Sequence, residues 1–384
     1  MTDSPNGVDL DRLRPFFVAN VSGALDAALE ATLIAGGRSN LTYSVTDGAS
    51  TWVLRRPPLG HVLPTAHDMV REYRVMSALA STEVPVPRTL AMCEDLAVND
   101  APFYVMELVD GIIYRDTAAL VSLSSEDAGR ASEALVDVLC AIHGVDYRKA
   151  GLSEFGRPDG FLERQVRRWG EQWERSKTRE LPAVDELARR LRAALPQSGP
   201  PTIVHGDYRL DNTMMALDDP GRIVAVLDWE MSTLGDPLTD LGLFLLYWGQ
   251  ADAQVIATGA AINNQAGFLT RDQVVARYAE VSGRAVDHMD WYEILASYKL
   301  AIIVEGINAR YQMGKTLGDG FESMGAMVAG LIDNALEKAN HSEIAALHGG
   351  NRIVRGLATS GSQTSERSSS SPSAVRSAPL PGMS

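Results

Sequence analysis

Apolar residues recur every three or four positions at Leu10, Leu13, Phe17 and Val21, which predicts a helix within residues 9–30. Two runs rich in β-branched and aromatic residues follow, "TLIAGGRSNLTYSVTDG" and "STWVLRRPP", with Asp47-Gly48 as the turn between strands. "HDMVREYRVMSALAS" returns to helical spacing, with Met69, Tyr73, Met76 and Leu79 on one face. The prolines of "VPVPRTLAMCED" predict an edge strand or connector. "APFYVMELVDG" is a compact apolar strand that stops at a glycine.

Beyond Gly111 the periodicity lengthens. "SEDAGRASEALVDVLCAIHGV" is a long amphipathic helix, and the charged segment 161–195 is helical too. Residues 202–230 are β-rich, with "DDPG" marking a turn between "TIVHGDYRLDNTMMAL" and "GRIVAVLDWEM". Helical patterns resume over 238–249 and 271–341. The pattern predicts an α+β protein of two lobes: residues 1–108, β-rich with a leading helix, and 109–352, mainly helical. Residues 353–384 are Ser/Pro-rich with few large apolar side chains. They bury too little to offset chain entropy, so a disordered tail is expected. A cleft between such lobes is a favoured ligand site.

Composition narrows the function. A net charge of −14 argues against a broad electrostatic grip on nucleic acid or anionic membrane. It could suit a cationic substrate, but an acidic surface is also a common route to solubility. Cys93 and Cys140 stand alone, without metal-ligand spacing or a disulfide framework. The N-terminus lacks a basic, then apolar leader, and no apolar run approaches the ~18 residues of a membrane span. A cytoplasmic enzyme is the expectation.

The densest polar stretch is "IVHGDYRLDN", directly after an apolar strand. Asp207 is followed five residues later by Asn212, and sixteen residues after that by Asp228 in "VLDWE". If the two segments pair around "DDPG", these three side chains converge at one end of the hairpin. A carboxylate–amide–carboxylate set of hard oxygens suits Mg²⁺ and can orient a hydroxyl, as phosphoryl transfer from ATP requires.

"VHGDYRLDN" followed by "VLDWE" resembles the catalytic and metal-binding loops of the aminoglycoside phosphotransferase/choline kinase family, a small-molecule branch of the protein-kinase-like fold. The resemblance implies Asp207 as catalytic base and Asn212 and Asp228 as Mg²⁺ ligands. His205 and Gly206 would shape the loop, Arg209 would sit near the acceptor, and Asp236 and Asp240 would brace the loop. "GGRSNLTYSV" stands where a phosphate-covering loop belongs, with Ser39 and Asn40 near the nucleotide. The next strand should carry a cation. Kinases usually place a lysine there, but the first lysine of this chain is Lys149. Strand alternation leaves Arg55 and Arg56 open, and alignment with the family favours Arg55, with Glu72 as its partner. Main-chain groups of Glu107 and Val109 would meet adenine. Glu305, Asn308 and Arg310 are candidate substrate contacts on the acceptor side.

The match runs from about residue 30 to 340. "VLRRPP", "REYRVMSAL" and "VLDWEMSTLGDPLTDLG" are closest to the branch associated with acyl-CoA dehydrogenases. That branch implies a hydroxyacyl-CoA or other hydroxylated metabolite as acceptor and a functional link to acyl-CoA metabolism. The alternatives are a true aminoglycoside kinase and a non-catalytic nucleotide-binding pseudokinase. A protein kinase is disfavoured, because DWE replaces DFG and no Ala-Pro-Glu element follows.

Overall fold

Asp9 caps the first helix, its carboxylate accepting from the Arg12 N–H, so α1 runs Leu10–Asn20 and stops well short of residue 30. The computed structural model describes residues 5–34, 40–59, 68–115, 117–248, 266–314 and 323–349. Ser39, the glycines before it and the Ser/Pro-rich tail lie outside the described residues. Strands β1 (Glu30–Leu33), β2 (Leu41–Thr46), β3 (Thr51–Arg56), β4 (Thr89–Cys93) and β5 (Phe103–Glu107) form one antiparallel sheet in the order β1-β2-β3-β5-β4. The proline-flanked β4 is an edge strand, where a missing N–H does least harm. Asp47 closes the β2–β3 turn by accepting from the Ala49 and Ser50 N–H groups, and Gly48 takes the left-handed backbone there.

Each face of this sheet has its own cover. On one, α1 sets Phe17 against Trp52 and Phe16 against Phe103, with Tyr43, Leu54 and Val105 beside them. On the other, α2 (Met69–Leu79) packs Val75, Met76 and Leu79 near Val53, Tyr104 and Met106. Because both faces of β3 are covered, its period of two decides where each arginine goes. Arg56 shares the face of Trp52 and Leu54, and its guanidinium donates to the Gly7 and Pro57 carbonyls. Arg55 shares the face of Val53 and turns toward α2.

Short helices α3 (Leu96–Asn99) and α4 (Thr117–Leu120) precede a mainly helical remainder. This comprises α5 (Ser125–Gly144), α6 (Phe161–Ser176), α7 (Pro182–Ala193), α8 (Leu238–Leu246), α9 (Arg271–Ser282), α10 (Met289–Gln312) and α11 (Met324–His341). Helix α10 lies at its centre, packed on α6, α7, α8 and α11. Its buried residues, from Trp291 to Ala309, occupy nearly its whole circumference. The β-rich segment forms two small ladders rather than one hairpin. Strands β7 (Thr213–Met215) and β8 (Ile223–Val226) pair around "DDPG", whereas β6 (Thr202–Val204) pairs with β9 (Thr233–Gly235). The intervening loop folds through a 3₁₀ turn at Leu210–Asn212, which ends β6 before it can join β7. The architecture is α+β, a β-sheet region followed by a helical one.

Candidate active site

The loop after β6 is held peptide by peptide. Asp240, buried at 1% exposure, accepts from the His205 N–H at 2.6 Å and the Gly206 N–H at 2.8 Å. Its Oδ2 also lies 3.2 Å from His143 Nε2, whose other ring nitrogen meets the Tyr278 hydroxyl at 2.8 Å. Burial works against the Asp240 carboxylate, but the His143 contact and the Gly206 N–H outweigh it and pull its pKa below the ordinary value. His205 is fully enclosed. Its Nδ1 accepts from the Asp207 N–H at 3.2 Å, so its Nε2 carries the proton and donates to the Leu227 carbonyl at 3.0 Å. Burial pushes this ring's pKa down and keeps it neutral. The loop fits only a glycine at 206, where φ is +83° and a Cβ would stand 2.6 Å from the Met231 carbonyl.

Asp207 emerges from this clamp partly exposed. Asn212 reaches back across the 3₁₀ turn and donates from Nδ2 to the Asp207 carbonyl at 2.8 Å and to its Oδ2 at 2.9 Å. Arg209 lies over the Tyr247 ring, with Nε 3.6 Å from Asp207 Oδ2 and Nη2 3.1 Å from Asp211 Oδ2. Burial weakens this cation, but Asp207 and Asp211 more than offset the loss. Burial raises the pKa of Asp211 despite Arg209.

Asp228 follows β8 in a left-handed conformation, φ +64°, which turns its side chain away from the strand. The Leu227 N–H bonds the Asn212 carbonyl at 2.8 Å, which sets the two segments side by side. Arg55 spans the gap to the sheet. Its Nη2 meets Asp228 Oδ1 at 2.5 Å, and its Nε meets Glu72 Oε2 at 3.1 Å. Glu72 is buried at 1% exposure, which drives its carboxyl pKa up against the pull of Arg55. Burial also disfavours the Arg55 cation, yet Glu72, Tyr104, Asp228 and Glu230 hold it charged. Asn40, at the start of β2, donates to Glu230 at 2.9 Å and keeps a buried Oδ1 without a hydrogen-bond partner. Sheet, α2, the loop after β6 and the Asp228 turn thus meet at one point.

A model of the phosphotransferase enzyme family matches residues 30–274. The chain belongs to that family. Among solved structures, a candidate aminoglycoside phosphotransferase from Ralstonia eutropha is 32% identical, with a TM-score of 0.72 over 86% of this chain and 98% of that one. A thermostable mutant of an aminoglycoside phosphotransferase, solved with ADP and hygromycin B, shares the fold at 15% identity. Its TM-score is 0.56 over 87% of this chain and 99% of its own. The rat acyl-CoA dehydrogenase family member 11 is 35% identical over 75% of this chain. The chain spans only 37% of that relative's length.

This phosphotransferase uses the remaining predicted residues unevenly. The Glu107 N–H is taken by the Arg88 carbonyl at 2.9 Å, so it cannot serve adenine, and Val109 lies two residues on, partly buried. Glu305 is enclosed in the core, where it accepts from the Thr178 N–H and hydroxyl at 2.7 Å and pairs with Arg179 at 3.2 Å. Asn308 joins the same cluster, and Arg310 is exposed near the end of α10. Glu305 and Asn308 are therefore already committed to packing α10 against the segment after α6. Lys299 was not among the predicted residues. From α10 it donates to the Gly206 carbonyl at 2.5 Å and lies 5.7 Å from the centre of the Trp169 ring. The available signal was a single lysine inside the apolar run "SYKLAII". No described helix is long and apolar enough to cross a membrane.

Proposed function

We propose that this phosphotransferase moves the γ-phosphoryl group of ATP to a hydroxyl of a small molecule, with Mg²⁺, and that Asp207 is the base. The observation that carries the reading is the chain of contacts from Glu72 through Arg55 to Asp228, and from Asp228 through Leu227 and Asn212 to Asp207. It brings a phosphate-binding cation, oxygen donors and a partly exposed carboxylate together at one place.

The donors fit a hard divalent cation. Asp228 offers a carboxylate and Asn212 an amide oxygen, and the His205 imidazole beside them has both ring nitrogens already hydrogen-bonded. Asp228 and Asn212 would hold Mg²⁺, which would supply neutralisation of the charge that develops on the phosphates. Asn212 fixes one oxygen of Asp207 and leaves the other to take a hydrogen bond from an acceptor hydroxyl. Arg55, held by Glu72, would lie against the phosphates as a permanent cation with bidentate reach. Arg209 sits on the other side of Asp207 and keeps it from facing Asp211 unscreened. Ser39 and Asn40 would line the phosphate side, and the Glu107 carbonyl with the Val109 main chain would meet adenine. Residues 1–108 would be the nucleotide lobe and 109–352 the catalytic and substrate lobe.

For the acceptor, the name of the rat relative favours a hydroxyacyl-CoA or a similar hydroxylated metabolite over an aminoglycoside. The test is a mass-spectrometric screen for ATP-dependent gain of a phosphoryl group across hydroxyacyl-CoAs, amino alcohols and aminoglycosides. Asp207→Ala should abolish product while nucleotide binding persists, and Asp228→Asn should weaken Mg²⁺-dependent nucleotide binding. Equal turnover in Asp207→Ala would remove Asp207 as the base. Phosphorylation confined to aminoglycosides would favour the resistance-enzyme reading.

A further inference from the structure

The peptide unit joining Gly206 to Asp207 is tied at both ends by side chains, one local and one from a distant helix. Its N–H is fixed by His205 Nδ1, which in turn anchors on Leu227. Its carbonyl is fixed by Lys299, ninety-three residues away on α10. The preceding N–H groups belong to Asp240. Of these ties, only the one from Lys299 comes from α10, the helix around which the helical region is built. A lysine is an unusual choice for that place. Its side chain is partly buried, with the ammonium beside Trp169, and burial depresses its pKa. Asp207 and Asp240 are the charges that compensate, and Arg209 opposes them. The carbonyl could have been satisfied by a neutral donor, so a cation beside Asp207 calls for a reason of its own.

We propose that Lys299 is a positioning residue for phosphoryl transfer: it fixes the carbonyl before Asp207 from α10 and holds a positive charge behind the Asp207 carboxylate. The geometry gives it two effects. The hydrogen bond sets the peptide plane from which the Asp207 side chain departs, so a small rotation there would carry the carboxylate away from the acceptor. The charge faces Asp207 and Asp240 and offsets part of the repulsion between those two carboxylates. The proposal rests on the assignment of Asp207 as the base.

The experiment follows ADP formation from ATP with water as the acceptor, in the full chain, for wild type, Asp207→Ala, Lys299→Met and Lys299→Arg. Lys299→Met is expected to lower kcat 10- to 100-fold, with KM for ATP within two-fold. Lys299→Arg, which keeps the charge, should recover most of the loss. Hydrogen–deuterium exchange in peptides spanning 203–212 should quicken in Lys299→Met at an unchanged melting temperature. Should Lys299→Met not fold, Lys299→Gln takes its place with the same expectations. Wild-type kcat in the neutral variant, or a loss that arginine does not recover, would overturn the proposal. If wild type and Asp207→Ala form ADP equally, the assignment of Asp207 fails instead. The exchange comparison then decides alone whether Lys299 orders the loop, and unchanged exchange would end the proposal.

Discussion

Asp240→Asn is the most informative single change, because it alters one atom in a buried clamp and leaves shape intact. The native carboxylate accepts two backbone N–H groups, one per oxygen, at 2.6 and 2.8 Å. Asparagine supplies one carbonyl oxygen and sets an NH₂ against the other N–H. A hydrogen bond to a charged group is worth about 1.5–3 kcal/mol, and a stranded buried donor costs about 1–3 kcal/mol. The two overlap, so a loss of about 3 kcal/mol is expected. Unfolding entropy of about 2.1 cal/mol/K per residue, applied to the compact unit Met1–Gly349, gives roughly 0.7 kcal/mol/K. The melting temperature should therefore fall by about 4 °C, read by scanning calorimetry alongside denaturant titration. Turnover should fall further than the folded fraction explains, about 100-fold, because one of the two peptide units leading to Asp207 loses its anchor and meets an NH₂ instead. A stability loss under about 1 kcal/mol with normal turnover would refute the clamp.

Two further changes test the same loop. The buried His205 ring is neutral in the folded protein, whereas an unfolded histidine titrates near 6.5, so the unfolded chain binds the extra proton. Stability should therefore decline as pH falls below about 6.5, and His205→Asn should flatten the melting-temperature slope between pH 7 and 5; an unchanged slope would assign the decline elsewhere. Asp240, with its depressed pKa, adds a loss only as pH falls below its ordinary value of 3.8. Gly206→Ala should cost at least about 2 kcal/mol from backbone strain and the clash with Met231. Gly48→Ala, with a similar φ but open space around it, should cost less in the same denaturation assay.

Much of the site could be read from the chain because its parts are close in sequence or tied to strand ends. Asp207 and Asn212 share one turn, and Asp228 lies just past the end of β8, whose partner β7 begins directly after Asn212. The choice between Arg55 and Arg56 could not be read from alternation alone, since α1 and α2 bury both faces of β3 and both arginines sit in apolar surroundings. The pairing of β6 with β9 was hidden because three-residue strands carry no periodicity. Glu305 looked like a cleft residue because its helix is apolar nearly all round, which leaves no polar face to orient it. Its partners, Thr178 and Arg179, lie more than a hundred residues earlier. The carbonyl held by Lys299 belongs to the backbone, and no side-chain motif records such a contact.

The arginine at position 55 also changes how this protein answers covalent chemistry. Electrophilic nucleotide analogues label kinases by acylating or sulfonylating the lysine that sits over the phosphates. A guanidinium that remains protonated, clamped between Glu72 and Asp228, is no nucleophile for such reagents. No lysine precedes Lys149, so the sheet region has no amine to substitute for it. With Arg55 against the phosphates as proposed, surveys that capture nucleotide-binding enzymes through a lysine at that position would pass over this one, and inhibitors designed around that lysine would lack their anchor.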